Sequence, residues 1–302
     1  MKSHSIPLLS IIITTHNRYL ALISTLDEID HLLVLPSVEC IIYNDASNDS
    51  SYQNLQNNSN IHLIQGTEQI GLIAARNILM SKASGKYVLS LDDDSHVVTK
   101  NFIELICEYF ENNPNCAVLA ARIYWGKIFP SKFSCKGNGH QVRSFVGCGH
   151  VWRRDAWKQI DGYPEWFGFY GEEDYASILL FLQGLEIHYL PDFLVHHRVE
   201  LRSRKLDNDY LPRIRKSLRA GWFIFFIFYP KAEAVKYFLY SFFMQWKKVF
   251  KQDRRILIPL LKSIGDLFRF SNQILRARKP LSAVQYKNYK NILNTKIYWK
   301  PN

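Results

Sequence analysis

The chain has 302 residues, 47% of them hydrophobic and 22% charged, which is enough to bury a substantial core and ordinary for a globular protein. Its net charge of +11 is unevenly divided: residues 1–197 hold 14 Lys and Arg against 21 Asp and Glu, net −7, and residues 198–302 hold 24 against 6, net +18. Five scattered cysteines (Cys40, Cys107, Cys116, Cys135, Cys148) with no C-x-x-C pair support neither a disulfide framework nor a zinc site, and they fit a reduced, cytosolic setting.

Residues 8–15 are apolar and β-branched and predict a strand; polar Thr14-Thr15-His16-Asn17-Arg18 ends the run, so it reads as strand and loop and not as the apolar stretch of a signal peptide. Residues 19–33 carry Leu22, Leu26, Ile29 and Leu33 at helical spacing. A strand over 38–43, a short polar helix over 47–57, a strand over 61–64 and a helix over 71–83 follow, and then Lys86-Tyr87-Val88-Leu89-Ser90 forms a strand running into Leu91-Asp92-Asp93-Asp94. The alternation predicts a mostly parallel α/β sheet, in which ligands bind beyond the carboxyl ends of the strands.

Those ends carry the chemistry. The first delivers Thr14, Thr15, His16 and Asn17, the second Asn44 and Asp45, and the last Asp92, Asp93 and Asp94. Three adjacent carboxylates need a positive partner, and a divalent cation that in turn holds phosphates is the simplest. Loop-facing strand ends are often polar, which explains one such end but not three. There is no G-x-x-x-x-G-K-[ST] and no G-x-G-x-x-G, and Val97 stands where an EF-hand starting at Asp92 needs glycine.

Further on, Gly171-Glu172-Glu173-Asp174 precedes an apolar helical run over 175–183. Acidic residues in a first helical turn are explained by the helix dipole, but neighbouring carboxylates also raise one another's pKa toward that of a general base. Residues 186–190 predict a strand, Pro191-Asp192 a turn, and Phe193-Leu194-Val195 a further strand into His196-His197. An imidazole beside carboxylates admits Mn²⁺ as well as Mg²⁺.

Over about residues 8–198 the chain resembles a family-two glycosyltransferase of the GT-A fold. The resemblance rests on Ser10-Ile11-Ile12-Ile13-Thr14-Thr15-His16-Asn17-Arg18, Asn44-Asp45-Ala46-Ser47, Gly71-Leu72-Ile73-Ala74-Ala75-Arg76-Asn77, Leu91-Asp92-Asp93-Asp94, Asp161-Gly162-Tyr163-Pro164-Glu165, Tyr170-Gly171-Glu172-Glu173-Asp174 and His196-His197. It implies an inverting transferase with a Rossmann-like GT-A domain over 1–198, its nucleotide half about 1–95 and its acceptor half about 96–198. Thr14, Thr15, Asn17 and Asp45 would line the nucleotide pocket, Asp45 accepting from the base imide. Arg76 would approach the diphosphate or ribose, with Asp92 on the ribose side and Asp93 among the donor-binding residues. Asp94 and His197 would bind Mn²⁺ or Mg²⁺, with His196 as the alternative. Asp174 would be the base, with Glu173 beside it, and Gly147, Trp152 and Glu172 would belong to the sugar and acceptor site. The family often carries a second acid two residues after the base, where this chain has Ala176.

The basic tail, 199–302, is predicted to be helical. Trp222-Phe223-Ile224-Phe225-Phe226-Ile227-Phe228-Tyr229 is too short to span a bilayer, which takes about 20 apolar residues. Residues 235–250 mix Phe238, Leu239, Phe242, Phe243 and Trp246 with Lys236, Lys247 and Lys248, the composition of a helix lying in an anionic membrane interface. The function these readings favour is transfer of a sugar from a UDP-sugar, or a dTDP-sugar, to a saccharide or lipid-linked acceptor at the inner face of the plasma membrane. A sugar-phosphate nucleotidyltransferase would carry a Gly-rich basic loop after the first strand, which 14–18 is not. A basic adaptor for membrane or nucleic acid leaves the acidic edge unexplained, so no nucleic-acid partner is expected.

Overall fold

Seven consecutive buried residues make β1 (Leu9–Thr15) an interior strand, with β2 (Val38–Asn44) and β4 (Tyr87–Asp92) parallel on either side and β3 (Ile61–Gln65) beyond β2. The protein is described here from a computed structural model covering residues 6–49, 52, 55, 60–131, 137–200 and 208–295. Helices α1 (Tyr19–Glu28), α2 (Asp30–Leu33) and α3 (Leu72–Lys82) connect these strands. Period-two alternation sorts the strand residues between two layers. Ile11, Ile13 and Leu89 pack with Leu22 and Leu26 of α1, while Ile12, Ile41 and Val88 pack with Ile73 and Leu79 of α3. With both faces covered, the strands read as continuous apolar runs.

The helix expected over 19–33 divides at Ile29, whose φ of −102° and ψ of 9° close α1 and open α2. Of the helix expected over 47–57, residues 50, 51, 53, 54, 56 and 57 lie outside the described residues, as does Cys135.

The second half comprises β5 (Ser95–Val97), α4 (Phe102–Asn112), β6 (Cys116–Trp125), β7 (His140–Val142), β8 (Gly149–Arg153), α5 (Arg154–Trp157), α6 (Glu172–Leu182) and β9 (Glu186–His197). The sheet runs β3-β2-β1-β4-β8-β6-β9-β5, with β7 on β9; β8 joins β4 and β6 antiparallel. Pro191-Asp192 is not a turn. β9 is one strand whose register on β6 slips between Leu190 and Leu194, leaving 191–193 as a bulge. A bulge accommodates a proline, which has no N–H for the ladder. The same strand therefore continues to His197, which pairs with Ser95 on β5.

His150 on β8 is fully buried, and burial pushes its imidazole down to about 3. The folded chain keeps it neutral, whereas the unfolded chain takes up a proton near its ordinary value of 6.5. Stability from this group is therefore present above pH 6.5 and is lost as pH falls toward 3. His150→Gln should lose the dependence, so its urea stability relative to the parent chain should rise by about 2 kcal/mol between pH 7 and pH 5.

The tail forms α7 (Tyr210–Phe228), α8 (Lys231–Lys251), α9 (Leu257–Arg269), α10 (Ser271–Ala277) and α11 (Ala283–Asn291). The apolar run at 222–229 ends α7 and is core: Phe223, Ile227 and Phe228 join the cluster of Tyr175 and Leu179 on α6, and Trp222 packs with Val249, Ile256 and Leu260. Asp266, buried on α9, takes a bidentate pair from Arg215 on α7 at 2.8 and 2.6 Å. Among the described residues no helix is long and apolar enough to cross a membrane.

Candidate active site

The registers Thr15↔Asn44 and Thr14↔Asp92 bring the ends of β1, β2 and β4 level, so the three polar strand ends share one edge of the sheet. The positive charge that the acidic triplet requires comes in part from side chains. Arg18, just past β1, reaches Asp93 at 3.1 Å and Asp94 at 2.5 Å, and Arg76 of α3 reaches Asp92 at 2.7 Å. Burial pushes Asp93 up to about 7 in spite of Arg18. Burial acts the same way on Asp94, but the hydrogen bond and charge of His197, with Arg18, outweigh it and hold Asp94 well below the usual carboxylate range.

His197 is the histidine brought to the triplet. Its Nε2 lies 2.9 Å from Asp94 Oδ1, whereas His196 points to the carbonyl of Gly126 at 2.7 Å. Burial lowers the His197 imidazole, but Cys148, Asp94 and Asp92 overcome this and raise it to about 10. The ring also packs on Trp125, centroids 4.6 Å apart. Among the described residues, buried Asp94 Oδ1 has no hydrogen-bond partner beyond its His197 contact, and buried His197 Nδ1 makes no well-formed hydrogen bond. Two ligand atoms each about 2.1 Å from one ion and at right angles to each other stand about 3 Å apart, so the Asp94–His197 spacing fits a shared divalent cation. Asp92, Cys148 and His197 also offer ligand atoms within 4.8 Å of one another.

On the nucleotide side Thr15 donates to Asp93 Oδ2 at 2.9 Å and lies 3.1 Å from the Tyr52 hydroxyl. Thr14 is buried at the end of β1. Asn17, at a φ of 54°, receives the N–H of Asn48 and gives its own N–H to Ser47. Asp45 accepts the N–H groups of Ile70 and Gly71 at 2.8 and 2.9 Å, fixing the loop that enters α3.

Arg76 does not face outward to a diphosphate. It is buried and donates to Glu172 at 3.0 Å, Asp92 at 2.7 Å and the carbonyl of Gly147 at 3.0 Å. The apolar face of α3 that packs on the sheet carries it inward, where it joins the strand edge to the start of α6. Glu172 is equally buried in that pair and supports Arg76. Glu173 also points here: a Cβ on Gly147 would stand 2.5 Å from Glu173 Oε1 and 2.8 Å from Arg76 Nη1. Burial and then Glu172 raise Glu173 well above the ordinary value. Removing a buried cation from this group leaves unpaired carboxylates, so Arg76→Met should cost about 3–5 kcal/mol of stability in urea unfolding.

Asp174 takes the other side of the first turn of α6. It is open to solvent but surrounded by chain, and that crowding raises its pKa against a hydrogen bond from Ser144 and the charge of Arg143. Trp152 is not at the surface of the site. It is completely buried on β8, between β4 and β6, and donates to the Tyr163 hydroxyl at 3.2 Å.

Sequence reasoning did not assign roles to Arg18, Tyr52, Trp125 or Cys148. Arg18 ends the first motif, and a cation at a strand end predicted to share an edge with three acids was a usable signal. The others depend on pairings across the sheet and on loop contacts that no local pattern encodes.

The model of glycosyl transferase family 2 matches residues 10–163, just over half of the chain. No curated protein matches it. Among solved structures the chain is similar to GalNAc-T7 with UDP, GalNAc and Mn²⁺ (13% identity, TM-score 0.61), covering 89% of this chain and 58% of that one. It is similar to S. aureus TarS 1-349 in complex with UDP-GlcNAc (16%, 0.58), covering 90% and 81%. It is also similar to the mannosyltransferase PcManGT from Pyrobaculum calidifontis with GDP-Man and Mn²⁺ (13%, 0.55), covering 95% and 84%. The chain thus spans less than two thirds of the GalNAc-T7 chain, and identities this low establish a shared fold.

Proposed function

We propose, from the premise that this chain belongs to glycosyl transferase family 2 and is a transferase of the GT-A fold, that it moves a sugar from a nucleotide-diphosphate donor to a saccharide or lipid-linked acceptor with inversion at the anomeric carbon. The observation that carries this reading is the buried Asp94–His197 pair, 2.9 Å apart, at the carboxyl edge of the parallel strands. A UDP-sugar is the favoured donor and a dTDP-sugar the alternative. Thr14, Thr15, Asn17 and Asp45 line the base side; each Asp45 oxygen keeps a lone pair for an imide N–H after accepting its backbone donor. Asp92 faces the ribose, Asp93 belongs to the donor-binding edge through Thr15 and Arg18, and Asp94 with His197 would hold Mn²⁺ or Mg²⁺. When bound, the cation would neutralise charge growing on the departing diphosphate.

Asp174 is the base of this reading. Its raised pKa and its openness suit it to take the acceptor hydroxyl proton while that oxygen attacks the anomeric carbon from the face opposite the leaving group. Glu173 lies beside the Arg76–Glu172 pair, where burial and then Glu172 raise its carboxyl well above the ordinary range. Arg76 holds Asp92 and Glu172 in place. Residues 1–198 would form the catalytic unit and 199–302 its helical extension. A panel of nucleotide sugars with candidate acceptors tests the donor, and the anomeric coupling of the product in proton NMR tests the stereochemistry. A product that retains the donor's configuration overturns the single-displacement step.

The reading places the enzyme in polysaccharide or glycolipid synthesis, peripheral on the inner face of the membrane. The face concerned differs from the one composition suggested. Phe238 and Phe242 pack toward Trp222, while Val235, Leu239, Phe243, Trp246 and Phe250 form an exposed stripe along α8 flanked by exposed Lys236, Lys247, Lys248 and Lys251. An apolar stripe edged with lysines matches an anionic lipid surface. The chain should sediment with phosphatidylglycerol vesicles and not with phosphatidylcholine vesicles, and Phe243→Glu with Trp246→Glu should abolish this. Undiminished sedimentation of that variant would contradict the assignment.

A further inference from the structure

We infer that Cys148 supplies a thiolate to the cation proposed at His197, in the group it forms there with Asp92, giving this centre a preference for thiophilic ions. The inference rests on the proposed metal site and adds a ligand from outside the acidic motif. Cys148 is buried in the loop before β8, and Ser95, the β5 partner of His197, donates to its carbonyl at 2.7 Å. That bond, with the β5–β9 pairing, fixes the loop against the strand carrying His197. The Sγ, a carboxylate oxygen of Asp92 and a ring nitrogen of His197 lie within 4.8 Å of one another, and His197 Nε2 is itself 2.9 Å from Asp94 Oδ1. Cys40 and Cys116 are buried elsewhere in the sheet and Cys107 lies on α4, so among the described cysteines Cys148 alone stands with metal-ligand side chains.

One thiolate with one imidazole and carboxylates is a mixed donor set. Carboxylates alone suit Mg²⁺ and Mn²⁺, whereas sulfur and nitrogen favour Co²⁺, Zn²⁺ and Cd²⁺. The thiol loses its proton to solvent as the sulfur–metal bond forms, and His197 must give up its own to bind as neutral imidazole, so ion binding releases protons. Asp92, partly exposed beside the sulfur, leaves a route for the ion.

Co²⁺ titrated into the full chain provides the test, read by absorption and calorimetry. A near-ultraviolet sulfur-to-cobalt charge-transfer band should grow with occupancy. In Cys148→Ser the band should vanish while calorimetric Co²⁺ and Mn²⁺ binding persist, and the ratio of Cd²⁺ to Mn²⁺ affinity should fall at least about tenfold. Cys148→Ala, which cannot offer serine's oxygen in place of sulfur, should show the same loss of the band. Cobalt binding without the band, or a band unchanged in Cys148→Ser, overturns the thiolate assignment and leaves the Asp94–His197 site standing. A chain that binds none of these ions overturns both.

Discussion

Asp174→Asn should bind the nucleotide-sugar donor as tightly as the parent chain and transfer the sugar about 10²–10⁴-fold more slowly, the range a positioned general base contributes. The amide cannot take the acceptor proton, and Asp174 touches neither Arg76 nor the acidic triplet, so the donor side should be undisturbed. Glu173→Gln is the companion. Glu173 points to Gly147 and the buried Arg76–Glu172 pair, so an amide of the same shape should keep most of the transfer rate. Single-turnover transfer measured beside donor binding separates the two residues. Normal transfer by Asp174→Asn with a large loss in Glu173→Gln would move the base to Glu173.

Asp94→Asn should lose cation-dependent donor binding and cut transfer roughly 10³-fold, the equivalent of about 4 kcal/mol. The amide carries no charge for a cation, and it also leaves the charged His197 and Arg18 without the partner they now share. Calorimetry with UDP in the presence and absence of Mn²⁺ reads this directly. Cation-dependent UDP binding that survives in Asp94→Asn would place the metal elsewhere.

How far the sequence disclosed these features follows from the range of each interaction. β1, β2 and β4 were legible because strands covered on both faces must be nearly all apolar, and their polar ends stood out against that background. The bulge at 191–193 was not, since proline and aspartate have turn chemistry and only pairing with β6 keeps the strand going. Arg76 could be recognised as important, but its direction could not; the packing of α3 turns it inward to Glu172, a residue 96 positions away. Trp152 entered only through the resemblance, and its burial on β8 depends on pairing with β4 and β6 that no local pattern shows. On α8 composition announced an amphipathic helix but not which aromatics face the core, and Trp222 on α7 decides that.

The most direct measurement of the central claim is acceptor-dependent release of nucleoside diphosphate from a UDP-sugar panel, followed with Mn²⁺ and again after the cation is chelated. The account predicts release that needs both acceptor and cation and that Asp94→Asn and Asp174→Asn each lose. Release undiminished by chelation, or release of pyrophosphate from a nucleoside triphosphate and a sugar phosphate instead, would contradict it.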